Sequence, residues 1–552
     1  MSQLDAGVAQ GGLRQKMAWL HTWGGLWACW VLFAIFLTGS LGVFDEPITR
    51  WMKPHLPQAS ALTDGAELGD DSARRQAVRL GQAYLTAQQP AAHSWGISLP
   101  NDNEPAINVF WQDAQEVFHN ARLDAQSGAP LGDSLQRESE GGHHFVHMHF
   151  EFHGGTAGIW LVGAFTMAFL VALVSGVIIH KRIFKDFFTF RPRKGQRSWL
   201  DAHNALSVLS LPFQLMIAYT GLATFYMLYM PAGIVAHYPS DEAYFAELLT
   251  QPAPQERTGV AAPVTALDAV LQRSEQQLQR PVSFISVEHP NDSSAAVEVF
   301  GRSIEKAGEY RLLGGGGGQV FFDGVSGAPR DIQLPGELRG GAAQDVQSVM
   351  ANLHFAAFGG QVVRWLFFIC GLAGAAMLAT GALLFMVKRR QRALHEFGAR
   401  TAQVYRVIEV LNIGTIAGLS VACIAFFWAN RLIPLGIAER PEWEIAAFFA
   451  VWLLSFVHAT LRPPSQAWIE QLLALAALCL LLPLLNWWTV GEQLVGYLLR
   501  GDGERAGVEL VALASGLLSL VAVRRLARKR RQARMPATPR RQAARVAVAE
   551  VQ

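Results

Sequence analysis

The sequence predicts a mainly α, polytopic membrane protein of about eight transmembrane helices, with two small α/β modules outside the membrane. Three observations predict it. The 552 residues are 51% hydrophobic and only 16% charged, too apolar for an ordinary soluble chain. Apolar runs of spanning length recur at about 17–44, 157–180, 205–230, 362–387, 405–429, 443–460, 466–489 and 506–523. Between them lie two long polar segments, 45–148 and 231–350, each with a helix-like stretch followed by alternating, strand-like sequence.

In chain order, the first run follows Arg14 and Lys16 but is too long for a cleaved signal peptide. It ends in FDEP rather than in small residues, so it is expected to stay as the first span. The outer segments carry SWGISLPNDNEPAINVFW (94–111) and SFISVEHPNDSSAAVEVF (283–300), each followed by a D-x-x-S-G-A-P turn, Asp124–Pro130 and Asp323–Pro329. They look like copies of one module, and the glycine run 314–318 reads as a hairpin tip. The second span is expected to run as one helix from His149 to Gly176, on the order of 40 Å at about 1.5 Å per residue. The chain thus divides into 1–44 (N-terminus and first span), 45–148 (first outer module), 149–230 (second and third spans), 231–350 (second outer module), 351–392 (fourth span), 393–523 (last four spans) and 524–552 (basic tail).

Lys and Arg give the orientation. They crowd 181–197, 388–406 and the tail from Arg524, which places those segments and both termini in the cytoplasm and the two modules outside. The net charge of +2 says little about partners, because the charges are segregated; nothing points to nucleic acid. Cys29, Cys370, Cys423 and Cys479 all fall in apolar runs without close spacing. They exclude a cysteine metal site, and the missing C-x-x-C-H excludes covalently attached c-type haem.

An internal repeat selects candidate functional residues. At an offset of 205, His149 pairs with His354, Gly154–Gly155 with Gly359–Gly360, Trp160 with Trp365 and Ser175–Gly176 with Thr380–Gly381; at 182, His21 pairs with His203 and Thr38–Gly39 with Thr220–Gly221. A lone histidine near a membrane interface is ordinarily a polar anchor. Of 16 histidines, these four keep an identical partner under the repeat. Both copies run in the same direction, so a pseudo-two-fold along the membrane normal should bring equivalents face to face. That sets His21 opposite His203 near the inner face and His149 opposite His354 near the outer face, as axial ligands of a planar metalloporphyrin in a four-helix core. The matched Ser/Thr–Gly pairs leave room for close approach of a backbone or a flat ligand. His153, expected on the same helix face as His149, is the alternate outer ligand, and His180 the rival at the inner site. His143, His144 and His147 form either an outer transition-metal cluster or a solvated entrance to the second span.

WLHTWGGLWACWVLFAIFLTGSLGVF, LVSGVIIHKRIFKDFFTFRP, WLDAHNALSVLSLPFQLMIAYTGL and LHFAAFGG…LATGALLFMVKRR resemble the PepSY-associated transmembrane family over roughly residues 15–392. The family includes ferric-siderophore reductases of bacterial inner membranes. The resemblance implies two b-type haems in the core, held by His21, His149 or His153, His203 and His354, with PepSY modules in the periplasm. It also implies that electrons pass from the cytoplasmic side to ferric iron or a ferric siderophore outside. Gln214 stands where relatives would have His. The last four spans lie beyond the shared core, and their His458 shows no pattern for a third haem.

The expected function is a di-haem ferric reductase in which electrons pass through the His21/His203 pair to the His149/His354 pair. Lys and Arg near the inner site would balance haem propionates. No G-x-G-x-x-G follows a strand, so the donor is a separate protein, a free reduced flavin or a quinol. The rival classes are a haem or metal transporter, and a non-enzymatic regulator whose helices only anchor the outer modules. A coloured protein separates the first class from the others.

Overall fold

The computed structural model describes residues 12–54, 71–101, 106–113, 115–131, 137–180, 191, 195–249, 255–303, 316–389 and 397–534. Most of the basic segments at 181–194 and 390–396, residues 314–315 of the glycine run and the tail beyond Arg534 lie outside them. The chain forms two compact units: residues 1–21, 35–183 and 206–374, and residues 22–34, 184–205 and 375–552.

Among the described residues, seven helices are long and apolar enough to cross a membrane: Leu13–Gly42 (α1), Gly155–Ile179, Gly360–Val387, Gly398–Leu432, Arg440–Leu461, Pro464–Val490 and Gly503–Gln532. An eighth span is a bent pair, Gln196–Leu209 and Leu211–Thr224, meeting at 62°. The continuous third span expected from the sequence is therefore broken. Pro212, in the first turn of the second piece, has no N–H for the preceding turn and its ring crowds it. Ser210 Oγ donates to the Leu206 carbonyl (2.7 Å), which also accepts the Ser210 N–H (3.2 Å), and Gln214 Nε2 donates to that hydroxyl. The wholly buried Gln214 thus braces the break.

The second span departs from expectation in the same way. Instead of one helix from His149 to Gly176, the chain forms a short helix His143–Phe150 (α2), a turn at Glu151–Gly154, and then the span Gly155–Ile179 (α3). Its repeat partner is built alike, with Gly341–Phe355 (α4), a turn, and Gly360–Arg389 (α5). Gly155 and Gly360 hold φ of +55 and +54, and Phe152, His153 and Ala356 are also left-handed. Such backbone ends a helix and is open to glycine at little cost. A Cβ at Gly158 would sit 1.8 Å from the Glu151 carbonyl oxygen, so the turn also needs that glycine.

The outer segments of the first unit share one seven-stranded antiparallel sheet ordered β3-β2-β1-β4-β5-β6-β7. Its strands are Ser94–Ser98 (β1), Ile107–Gln112 (β2), Phe118–Leu123 (β3), Val282–Glu288 (β4), Ala296–Gly301 (β5), Gln319–Asp323 (β6) and Pro329–Gln333 (β7). The repeats meet at β1 and β4, where Ile97 lies opposite Ile285. Alternate strand residues such as Ile97, Val109, Ile285 and Val299 pack against Val78 and Leu85 of helix Asp71–Gln88 and Val270 and Leu271 of helix Leu267–Leu278. Arg74 pairs with Glu275 across the two helices (2.5 Å). The D-x-x-S-G-A-P turns are superimposable in their bonding: Asp124 Oδ1 accepts from Ser127 N–H (2.8 Å) and Asp323 Oδ1 from Ser326 N–H (2.8 Å).

Candidate functional site

Each repeat-matched histidine is held by one local device. His149 Nδ1 donates to the Ile35 carbonyl (2.8 Å), and a Cβ at Gly39 would fall 2.5 Å from that nitrogen. His21 Nδ1 donates to the Ala172 carbonyl (2.9 Å) and meets Ser175 Oγ (3.2 Å), with Gly176 beside its Cε1. His203 Nδ1 donates to the Met377 carbonyl (2.9 Å), with Gly381 beside it. His354 Nδ1 meets Thr220 Oγ1 (3.1 Å) and the Ile217 carbonyl, and Gly221 lies against its Cε1.

The carbonyl in every case is four residues before the glycine. That carbonyl already accepts the helical N–H of the glycine, and its second lone pair takes the imidazole. Only a residue without a side chain leaves the ring a path to it. The sequence identified the four Ser/Thr–Gly pairs but read them as clearance for a backbone or flat ligand. In the structure they clear the histidines themselves.

In the first unit the device brings His149 and His354 together, with ring centres 6.1 Å apart and planes inclined by 30°. With Nδ1–H spent on a carbonyl, Nε2 is the nitrogen left to bind a metal. His21 belongs to the first unit and His203 to the second.

His153 does not share a face with His149. It sits in the turn with a left-handed backbone, and its Nε2 bonds His144 Nδ1 (3.0 Å), the rings stacked at 5.0 Å. The correction follows from the helix break, because i and i+4 share a face only within one helix. His143 pairs with Asp45 (3.0 Å) and His147 with Glu151. Burial and the neighbouring His153 and His147 hold the His144 imidazole well below its ordinary value. Among the described residues no group of three or more His, Cys, Asp or Glu side chains could hold a metal ion. The outer histidines are paired off with each other and with carboxylates instead. His180 ends α3, its N–H on the Gly176 carbonyl (3.2 Å), one turn past the carbonyl that holds His21.

These observations test what fits between His149 and His354. Two imidazoles do not complete the coordination of a bare ion. His149 and His354 would hold, through Nε2, a metal group that brings most of its own donors.

A second buried polar group, in the last four spans, has no counterpart among the residues that the repeat selects. Asn430 donates to Glu444 (2.8 Å), Arg440 pairs with Glu444, Arg431 donates to Asn486 (3.0 Å), and Asn486 donates to Tyr497 (3.0 Å) and Glu509 (2.8 Å). Its only sequence signal is charge at the ends of apolar runs. These contacts tie together the ends of the last four spans and the short helix Leu494–Leu499, which carries Tyr497.

Spanning helices and two α/β segments that share one sheet define a multi-pass membrane protein with an internal repeat. Residues 18–388 match the model of the PepSY-associated TM region, and the chain belongs to that family. It is also similar to a Pseudomonas aeruginosa protein named "Uncharacterized protein PA4219". The two are 25% identical over 415 residues, covering 72% of this chain and 96% of the relative.

Proposed function

We propose that this protein is a two-haem electron conduit of the bacterial inner membrane. It takes electrons on the cytoplasmic side and reduces ferric iron, free or held by a siderophore, on the periplasmic side. The facing of His149 and His354, each fixed through Nδ1, is the observation that carries the reading. His149 and His354 would hold one b-type haem, and His21 with His203 the other. Bound there, haem would supply one-electron chemistry in which no atom is transferred.

The chain's own residues do the rest. The Ile35 carbonyl, and the Thr220 hydroxyl with the Ile217 carbonyl, fix which imidazole nitrogen carries the proton and raise the basicity of the other. Gly39 and Gly221 let the rings reach those acceptors. The apolar helices keep water from the pair, and the outer sheet stands where a ferric chelate would arrive. Ferrous iron binds hard oxygen chelators less tightly than ferric iron, so reduction releases it.

The test is the visible spectrum of protein purified after haem-replete expression. Two bis-histidine b-type haems per chain are expected, reduced by dithionite and reoxidised by a ferric chelate. His149→Ala and His354→Ala should each remove the same component, and His153→Ala should spare it. A colourless protein overturns the proposal.

A further inference from the structure

A conduit needs a donor, and the second unit holds an unused, partly exposed polar group on two of its spanning helices. On Arg440–Leu461 and Pro464–Val490, near the ends joined through Arg462, His458 Nε2 donates to Glu470 (2.9 Å) and Gln471 Nε2 donates to His458 Nδ1 (3.2 Å). Arg462 Nε also donates to Glu470 (2.9 Å). Both bonds to His458 fix its tautomer: an amide N–H only donates, so Nδ1 accepts and Nε2 carries the proton. The chain continues inward, since Gln471 Nε2 also donates to the Ser455 carbonyl (2.8 Å).

Two features set this group apart from an interhelical lock. His458 and Glu470 keep 35% of their side-chain surface exposed, on the helices that also expose Leu454, Leu461 and Leu473. Ionisable groups on a spanning surface are costly there and mark functional positions. Behind them Gln471 is only 6% exposed, and its Oε1 has no hydrogen-bond partner among the described residues. That oxygen lies against Gly418, where a Cβ would sit 3.4 Å away, at the end of a π-helical turn, Ile413–Gly418. Such turns interrupt the helical ladder and recur at functional sites.

We propose that His458 and Glu470, positioned by Gln471, bind the head group of a membrane-dissolved hydroquinone, the two-electron donor of the conduit. This rests on the function proposed above. A hydroquinone brings two phenolic O–H donors at head-group depth and an apolar tail. The Glu470 carboxylate, 35% exposed, is the acceptor, Gln471 holds His458 from behind, and the exposed leucines face the tail. Oxidation breaks both O–H bonds, leaving the quinone, two protons and two electrons. The electrons reduce two ferric ions to ferrous. The protons leave by Glu470, whose partner Arg462 is 48% exposed. A soluble flavin or reductase would instead dock on the aqueous basic face.

The experiment uses the full-length protein in nanodiscs. Decylubiquinone is titrated in, and quenching of tryptophan fluorescence is followed; Trp452 and Trp468 lie on the same two helices, and the signal needs no haem. Saturable quenching is expected, weakened roughly tenfold in Glu470→Gln and in His458→Phe, as for one lost hydrogen bond. Decylubiquinol-driven reduction of ferric citrate, read with a ferrous chelator, should fall in parallel while dithionite still reduces the chromophore. Glu470→Gln keeps shape and carries the test if His458→Phe does not assemble. No saturable quenching, or equal binding by the variants, overturns the site. A chromophore reduced by dithionite but not by decylubiquinol overturns the donor role and leaves the conduit standing. Quenching lost in Glu470→Gln in a protein without chromophore supports the quinone site and overturns the conduit.

Discussion

Gly39 and its three equivalents show how much rests on a missing side chain. Each lies one turn past the carbonyl that accepts a histidine, so its Cβ position is filled by imidazole. Gly39→Val would place carbon 2.5 Å from His149 Nδ1, forcing the ring from the Ile35 carbonyl while leaving α1 helical at a modest propensity cost. The expected result is loss of the spectral component that His354→Ala removes, read in a reduced-minus-oxidised spectrum. An unchanged spectrum would show that the carbonyl does not hold the ring. The four histidines and four glycines were legible in the sequence because the repeat preserves them. The bond between them was not, because periodicity places a residue on a face but does not name its neighbour across the interface.

At the scale of elements, the outer strands carry two carboxyls shifted in opposite directions. On β5, burial and the neighbouring Glu288 push Glu298 up to about 7. At the end of β6, the Ser326 N–H and Arg330 hold Asp323 down to about 2. Glu298 therefore favours folding when protonated; its contribution is full below the ordinary 4.5 and is lost as pH rises through about 7. Asp323 acts with the other sign, stabilising above the ordinary 3.8 and failing only as pH falls through about 2. Between pH 5 and 8 the Glu298 effect governs. Amide exchange in β5 should quicken from pH 5 to pH 8, after correction for intrinsic chemistry, and Glu298→Gln should abolish that dependence. The helix breaks belong to this scale too. Apolar length announced each span, yet the turns at Glu151–Gly154 and Ser210 depend on left-handed glycines and on Pro212, and a glycine pair inside an apolar run is equally compatible with an unbroken helix.

For the whole molecule, the second unit depends on charges that have left water. Arg440 is 1% and Glu444 0% exposed. Glu444→Ala would strand the Arg440 guanidinium and the Asn430 amide, at a cost of about 3–5 kcal/mol for a broken buried pair. A lower thermal midpoint in detergent is expected, with Glu444→Gln closer to the wild type because it keeps an acceptor.

The sequence by itself determined the number of apolar spans, the repeat, the two outer modules and the four histidines with their glycines. These are written in local composition, period and self-similarity. Only the tertiary structure decided that β1 and β4 join the modules into one sheet, that His149 meets His354 while His153 turns to His144, and that Gln214 braces a break. Those outcomes depend on pairings between segments distant in the chain, where a backbone carbonyl or a strand edge takes whichever partner the packing presents.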